Sequence, residues 1–246
     1  MNMFISQWKA ESLRIIRSPF FLLFSLLMPF VFYFLFASLN GADKEIAGTS
    51  WGAYSLMSMT AFSLIGTATS QFGIRLAFER KEGWIRQLQL TPLSHFTWIS
   101  AKVASQMLIH LLIILLLFPL AAMVYDLHLT PLQWAACTIW LLCGSLPFLA
   151  LGALVGTMRN ADAAIAISNV LLMGLAIAGG LWMPLEALPE WLQSIGKWLP
   201  SYHYANGAWE VLSGNLVSLE NIFYLGACTV LFMVLSSYIL KKRDAV

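Results

Sequence analysis

The chain has 246 residues, of which 59% are hydrophobic and 11% are charged, and its mean hydropathy is +0.76. Soluble domains carry about 25% charged residues, so this composition excludes an ordinary soluble globular protein. The formal net charge of +2 is too small to indicate a nucleic-acid-binding protein. We therefore expect an integral protein of the lipid bilayer, with no nucleic acid among its partners.

Residues 3–17 predict an amphipathic helix ahead of the first apolar segment. At 100° per residue, Phe4, Ile5, Trp8, Ile15 and Ile16 fall on one arc, and the charged side chains occupy the rest. This pattern is typical of a helix that lies flat in the headgroup region of a membrane. An ordinary charged flank before a membrane span is the alternative.

Six apolar segments follow, each long enough to cross a bilayer as a helix. Residues 19–39, at ~1.5 Å per residue, reach ~31 Å, against a hydrocarbon core of ~30 Å. We predict an all-α transmembrane domain that covers residues 1–246. The six predicted spans are residues 19–39, 51–74, 103–125, 132–157, 163–183 and 221–240.

Polar side chains are sparse within these spans. The second span is rich in Ser, Thr and Gly, which is typical of close helix contact or of a polar pathway. His110 has no evident acidic partner in the spans, so we interpret it as packed and hydrogen-bonded rather than as a proton relay. Gly144 and Pro147 predict a kink in the fourth span.

The longest clearly polar run, Glu79–Leu93, separates the second span from the third and reads ERKEGWIRQLQLTPL. As a helix, it places Trp84, Ile85 and Leu88 on one arc with charged residues around it. Such an apolar ridge is what a groove on another protein can grip, and Thr91-Pro92 would end the helix. We predict a docking segment for a soluble partner; a solvated loop is the alternative.

Residues 179–210 are apolar, but prolines interrupt them too often for one span. Between Pro189 and Pro200 the apolar side chains recur at helical spacing, which predicts a short amphipathic helix at the membrane surface. An aromatic belt is indicated by Trp182, Trp191, Trp198, Tyr202, Tyr204 and Trp209. The candidate outer gate comprises Pro184, Leu188, Pro189, Trp191, Leu192, Trp198 and Pro200.

The distribution of Lys and Arg predicts the orientation. Of these 14 residues, all but Lys44 and Lys197 fall on the same side of the membrane as the N-terminus. Because basic residues concentrate on the cytoplasmic side, both termini and Glu79–Leu93 are expected in the cytoplasm. The segment from Pro184 to Pro200 is then expected in the outer leaflet.

We find no motif for catalysis in the sequence. There is no G-x-x-x-x-G-K-[ST] phosphate loop, no H-E-x-x-H metal pair and no G-x-S-x-G elbow. We expect no enzymatic activity, no bound cofactor and no metal. Active transport would therefore need a partner or an ion gradient, and the scarcity of ionisable residues in the spans argues against an ion-coupled carrier.

Two spaced motifs carry a family resemblance. The first, E-R-x-x-G-T-L-x-x-L-x-x-T-P, is matched at Glu79, Arg80, Gly83, Leu88, Thr91 and Pro92. It differs at Trp84 and Ile85. The second, P-x-x-x-L-P-x-W-L with a later proline, is matched at Pro184, Leu188, Pro189, Trp191, Leu192 and Pro200. With the six-span layout, the chain resembles the membrane subunits of type-2 ATP-binding-cassette (ABC-2) transporters over nearly its whole length.

This resemblance implies the permease half of an exporter in the plasma membrane. Two such chains, identical or merely similar, would pair with two copies of a separate ATPase subunit that uses ATP. Its coupling-helix contacts would be Glu79, Arg80, Gly83, Trp84, Ile85, Leu88, Thr91 and Pro92.

The short outer loops resemble the drug and lipid export branch of this family. That likeness implies efflux of a drug, an antibiotic or a lipid-like substrate, and hence antibiotic resistance. Three alternatives stay open: a polysaccharide or lipid-linked glycan exporter with the same motifs, an ion-coupled carrier or channel, and a non-transporting scaffold or sensor.

Overall fold

The computed structural model describes residues 3–46 and 48–244 and is almost entirely helical there. Eleven side chains inside the helices fall outside the description, namely those of residues 19–22, 24, 26, 85, 86, 89, 243 and 244. The helices are α1 (Met3–Ile16), α2 (Pro19–Asn40), α3 (Trp51–Gly66), α4 (Gly73–Lys81), α5 (Trp84–Gln89), α6 (His95–Tyr125), α7 (Pro131–Gly144), α8 (Leu146–Val155), α9 (Ala161–Ala178), α10 (Glu190–Gly196), α11 (Pro200–Leu212) and α12 (Leu219–Asp244).

Three short elements complete the description. A π-helix, Thr67–Phe72, joins α3 to α4, and a 3-10 turn, Leu185–Ala187, precedes α10. A two-residue antiparallel pair, β1 (Glu45–Ile46) and β2 (Thr49–Ser50), leads into α3. The chain from α3 to α4 is therefore helical without a break.

Four helical segments of the described chain are long and apolar enough to cross a membrane: His95–Tyr125, Pro131–Val155, Ala161–Ala178 and Leu219–Lys242. They overlap the last four predicted spans. In α2, Leu27–Asn40 forms a shorter apolar helix, and the second predicted span is divided by the π-helix. The structure thus supports a multi-pass helical protein, and the count of six spans stays a prediction.

The second predicted span lies at the centre of the molecule. Every residue from Trp51 to Ile65 is buried. Several of its hydroxyl groups donate to carbonyls one turn earlier on the same helix, as Thr60 does to Leu56 at 2.7 Å and Ser58 to Tyr54 at 3.0 Å. These contacts favour close helix packing over a polar pathway.

Helix α2 is hydrogen-bonded to this central helix one turn before its internal proline. Pro29 has no N–H, so the carbonyl of Ser25, four residues earlier, loses its intrahelical donor. The hydroxyl of Ser63 donates to that carbonyl at 3.1 Å. The carbonyl that Pro29 leaves without an intrahelical donor is therefore satisfied by a side chain from α3.

Two glycines bring α8 against the π-helix. A Cβ on Gly152 would lie 2.1 Å from the carbonyl oxygen of Ala68, and one on Gly73 would lie 2.7 Å from the carbonyl oxygen of Gly152. Both would meet backbone atoms, so no side-chain movement could relieve the clash. The contact of α8 with the π-helix depends on Gly152, and its contact with the start of α4 depends on Gly73.

The kink predicted in the fourth span is confirmed as a break between α7 and α8 at Ser145. Gly144 lies against the ring of Tyr204, whose Cδ2 would be 2.6 Å from a Cβ at this position. The Tyr204 hydroxyl donates to the Leu141 carbonyl at 2.5 Å. The break thus lies where an aromatic side chain from α11 packs into the fourth span.

Helix α11 departs from the sequence prediction, which assigned Tyr204 and Trp209 to an aromatic belt at the membrane surface. Both are buried in the core. Trp209 stacks on Tyr54 with ring centroids 4.4 Å apart and donates from Nε1 to Ser58 at 3.2 Å. The belt assignment is wrong for these two residues because hydrogen bonds inside the core satisfy their polar atoms.

Candidate functional site at the charged end of the molecule

The charged run Glu79–Leu93 covers the end of α4, a tight turn and α5, rather than the single helix expected. Helix α4 ends at Lys81, and Gly83 adopts a left-handed conformation with φ 74° before α5 begins. Open space surrounds Gly83, so the backbone conformation favours glycine here and packing does not. The turn sets α5 as a separate six-residue helix.

The far end of this segment is closed by side-chain caps. The Thr91 hydroxyl donates to the Leu88 carbonyl at 2.7 Å. Ser94 then accepts from the Thr97 backbone N–H at 3.1 Å and begins α6. Because α5 is held between a glycine turn and a capped helix start, it forms a defined projection.

The predicted apolar ridge divides between surface and core. Trp84 is 43% exposed, whereas Leu88 is half-buried and packs against the main core. Thr91 and Pro92 are exposed, and Arg80 and Gly83 are half-buried. The Ile85 side chain lies outside the described residues. Trp84 is therefore the described aromatic side chain that this segment presents outward.

Glu79 lies inside the protein, not on the rim of the segment. Its side chain is 3% exposed, and its Oε1 accepts from Lys102 and from Arg14, both at 2.8 Å. Lys102 also donates to Glu11 Oε1 at 2.7 Å. We call Glu11, Arg14, Glu79 and Lys102 the ion network.

The ion network joins three helices at one end of the molecule. Glu11 and Arg14 come from α1, Glu79 from α4 and Lys102 from α6. Beside it, Ser12 donates to Ser105 at 3.1 Å, and Lys102 lies 5.3 Å from the centre of the Trp98 ring. A buried pair is costly to break because the remaining charge loses its partner without regaining water. The network therefore fixes α1 against α4 and α6.

Sequence reasoning missed this network. It placed Glu11 and Arg14 on the charged face of an amphipathic helix and counted Lys102 only toward orientation. In the structure α1 buries Glu11, Ser12 and Ile15 and leaves Phe4, Ile5 and Ile16 more exposed. The available sequence signal was Lys102, a lysine directly before an apolar span. If such a lysine is buried, its charge requires an acidic partner.

His110 links two irregular points of the helical core. Its Nε2 lies 3.0 Å from the Thr67 hydroxyl, at the start of the π-helix, and its Nδ1 lies 2.9 Å from the Ser145 hydroxyl, at the break before α8. The ring is fully buried. The interpretation of His110 as a packed, hydrogen-bonded side chain is confirmed, and its partners locate it between two helix irregularities.

The candidate outer gate combines anchored and exposed residues. Trp191 and Trp198 are 65% and 75% exposed. Leu188 and Leu192 are half-buried, as are Pro184 and Pro200, and Pro189 is exposed. A Cβ on Gly196 would lie 2.3 Å from the Ala178 carbonyl oxygen, so α10 packs closely on the end of α9. The two tryptophans project from a fixed segment.

The described residues contain no group of three or more His, Cys, Asp or Glu side chains able to hold a metal ion. The fold and the site define a multi-pass membrane protein with a projecting segment and an ion network at one end.

The family model for the ABC-2 family transporter protein matches residues 47–238. A curated protein of Bacillus subtilis (strain 168), named "Putative transport permease YvfS", is 45% identical over 249 residues, covering 100% of both chains. The chain belongs to the ABC-2 transporter permease family. It is a transport subunit rather than an enzyme, and permeases of this family work with an ATPase subunit in the membrane.

Proposed function

We propose that this chain is the membrane subunit of an exporter for a hydrophobic or amphipathic substrate, such as a drug, an antibiotic or a lipid. A separate ATPase subunit drives it by docking on Glu79–Leu93. The complete exporter holds two ATPase copies and two permease chains, the second identical or similar to this one. ATP binds to the partner, and this chain needs no cofactor of its own.

One observation carries the docking assignment: α5 presents Trp84 outward, directly beyond the turn at Gly83. Buried aromatic anchors commonly dominate interface energies, and an exposed tryptophan on a projection is suited to that role. Arg80, Thr91 and Pro92 supply the surroundings of the contact. Glu79 is assigned a positioning role behind the contact, because its carboxylate is occupied within the protein.

The ion network supplies a route from the docking segment to the rest of the chain. Glu79 lies in the last turn of α4, immediately before the turn that leads to α5. A movement of α5 therefore reaches α1 through Glu11 and Arg14, and α6 through Lys102. In this proposal Glu79–Leu93 works as a coupling segment, and the ion network distributes its motion.

In the proposed orientation the coupling segment lies in the cytoplasm. The positive-inside distribution supports this, and the structure gathers Arg14, Lys102 and the start of α5 at one end of the molecule. In this arrangement the protein spans the plasma membrane with both termini inside, α1 lies in the headgroup region, and residues 184–200 lie in the outer leaflet.

The docking proposal is tested by replacing Trp84 with alanine. Loss of an interface anchor costs about 2 kcal/mol or more, roughly a thirtyfold loss of affinity. We expect Trp84→Ala to weaken ATPase-subunit binding by that order and to uncouple hydrolysis from transport. Pull-down and substrate-stimulated ATPase activity measure the two effects. The double change Trp84→Ala with Leu88→Ala is expected to abolish binding.

Trp198→Ala is the matched control, because it removes an exposed tryptophan from the candidate outer gate instead of the docking segment. It should leave ATPase-subunit binding unchanged. Because Leu88 is partly buried, its replacement also changes packing against the core. The single Trp84 variant avoids this and tests the contact with the ATPase subunit alone. If a folded Trp84→Ala protein bound the ATPase subunit as the wild type does, the docking proposal would be wrong. Glu79–Leu93 would then be interpreted as a solvated loop.

The outer-gate proposal predicts a different pattern. Replacing both Trp191 and Trp198 with serine should lower transport several-fold while ATPase-subunit binding persists, because these side chains project from a segment anchored through Gly196. Met123→Ser, at another exposed apolar position, serves as the control. Unchanged transport by the folded double variant would reduce the segment to a membrane anchor.

A further inference from the structure

Helix α9 exposes an amide at the middle of an apolar span. Asn169 lies halfway along Ala161–Ala178, with about 12 Å of helix on either side at a rise of ~1.5 Å per residue. A helix that crosses the hydrocarbon core therefore holds this residue near the bilayer midplane. The Asn169 carboxamide is exposed and forms no hydrogen bond within the described part of the chain. Because no water reaches the bilayer core, this amide requires a polar partner from outside the chain.

The neighbouring polar side chain of α9 is satisfied inside the protein. Ser168 is fully buried and donates to the Thr69 carbonyl of the π-helix at 3.3 Å. Asn169 follows it, 100° further around the helix, and lies on the outward surface. The packing of α9 on the core therefore explains Ser168 and leaves Asn169 unexplained.

The other carboxamides of the four long apolar segments lie inside the protein or bond to it. Gln106 and Asn221 are buried, and Gln133 donates to a carbonyl of α11 at 3.0 Å. The middle of α12 turns apolar side chains outward, among them Val230 and Leu231, and such a face suits lipid. Among these described segments, α9 is therefore the one that exposes a carboxamide at mid-span.

A second copy of the same helix offers the partner that Asn169 requires. A carboxamide carries both a donor NH₂ group and an acceptor oxygen. Across a two-fold axis, each Asn169 would donate to its copy and accept from it, because such an interface brings the same surface of both chains together. Asparagine side chains hydrogen-bond across membrane helices in this way, and lipid tails provide no such partner.

The side chains beside Asn169 suit contact between helices. At 100° per residue, Ala166, Met173 and Ile177 fall with Asn169 within an arc of about 80°. All four are exposed, and we call them the α9 face. Ala166 is small enough for two backbones to approach closely, while Met173 and Ile177 add apolar contact area. The amide thus lies in surroundings that a second helix can cover.

We propose that the α9 face is the contact between two copies of this chain, with a reciprocal Asn169 pair at its centre. The inference rests on the two permease chains of the proposed exporter, and it assigns the second chain as a copy of this one. The pair also fixes the register of the two helices, because a slip along the helix would leave both amides without partners in hydrocarbon.

The first test is disulfide cross-linking of the full chain in membranes, with its three native cysteines replaced by alanine. Met173→Cys and Ala166→Cys each place a thiol on the α9 face and keep Asn169. We expect oxidation to link two chains through at least one of these positions. Val230→Cys, at an exposed position on α12, is the matched control and should give no linked dimer. Native mass spectrometry of the purified chain counts the copies independently of the face that joins them.

The second test removes the amide. Asn169→Leu should weaken self-association by about fivefold or more, because hydrogen bonds between the helices are lost. Energy transfer between labelled chains, followed as they are diluted in detergent, measures this change. Asn169→Gln retains a carboxamide and should keep more of the association. Ser237→Leu makes a similar change at an exposed position on α12 and should associate as the wild type does.

Three results would overturn the proposal. A native dimer with no disulfide at either α9 position would keep the pairing of two chains and remove the α9 face. A monomeric chain would remove the second copy as the partner of Asn169. Unchanged self-association in Asn169→Leu would remove the amide pair, and a transport defect in that variant would assign Asn169 to the transported molecule instead. The association measurements do not require the ATPase subunit, so their failure is distinguishable from failure of the docking proposal.

Discussion

Replacing Lys102 with methionine should destabilise the folded chain by about 3–5 kcal/mol, the usual cost of removing one partner from a buried ion pair. Lys102 donates to Glu11 at 2.7 Å and to Glu79 at 2.8 Å, and all three side chains are almost fully buried. Methionine nearly preserves the side-chain length and removes the charge, both from the two carboxylates and from its position 5.3 Å from the centre of the Trp98 ring. The loss would therefore report on charge, and unfolding in detergent followed by tryptophan fluorescence measures it.

Arg14→Met is the matched control for Lys102→Met. Both basic groups bond to the same oxygen of Glu79 at 2.8 Å, but the Arg14 side chain is 52% exposed. Glu79 keeps Lys102 as its partner in this variant, and the exposed guanidinium regains water, so the loss should be clearly smaller than in Lys102→Met. Equal losses in the two variants would contradict the assignment of Lys102 as the buried centre of the network.

A triple variant separates charge balance from packing. Glu11→Gln, Glu79→Gln and Lys102→Met together remove the buried charges while nearly preserving side-chain volume. Neutral replacement of a buried ionic cluster is often tolerated, so most of the stability should return. Coupling of ATPase activity to transport should not return if the ion network distributes motion from α5. Recovery of both properties would leave the network with a structural role alone.

The longest apolar elements were predictable from sequence because length and composition decide them locally. The last four predicted spans overlap apolar helices, and Gly144 with Pro147 flanks an observed break. The segment Glu79–Leu93 was also predictable from the sequence, because its charged residues, Gly83 and Pro92 form a local pattern. What local patterns could not give was which charged groups turn inward.

The buried part of the site depends on contacts between distant residues. Lys102 meets Glu11 across 91 positions and Glu79 across 23 positions, so no periodicity within α1 or α4 reveals the pairing. Periodicity placed Glu11 on a solvated face, whereas the structure buries it against α6. The same limit explains why Glu79 was grouped with the charged residues around the docking ridge.

Helix α11 was missed for a different reason. Pro200 was interpreted as an interruption, but proline is favoured in the first turn of a helix, where its missing N–H costs nothing. Tyr204 and Trp209 were assigned to the membrane surface because their polar tips prefer water. Hydrogen bonds to Leu141 and Ser58 satisfy those tips inside the core.

The π-helix leads to the second large expected effect. Gly152→Ala should destabilise the protein by about 1–3 kcal/mol, the usual cost of overpacking, because the new Cβ would lie 2.1 Å from the Ala68 carbonyl oxygen. That oxygen belongs to the backbone between α3 and α4, so α8 must move away. Thermal unfolding in detergent measures the loss, and transport measures its consequence.

Gly174→Ala is the matched control, because it adds the same methyl group within α9 where no atom lies within 4 Å. Alanine favours helix over glycine by roughly 1 kcal/mol, so this variant should be neutral or more stable. The same helix preference of alanine would stabilise Gly152→Ala. A net loss of stability in that variant would therefore come from the contact with the π-helix. If Gly152→Ala matched Gly174→Ala in stability and transport, close approach of α8 to the π-helix would not be required. The irregular helix would then have to be attributed to another contact, with His110, between Thr67 and Ser145, as the next candidate.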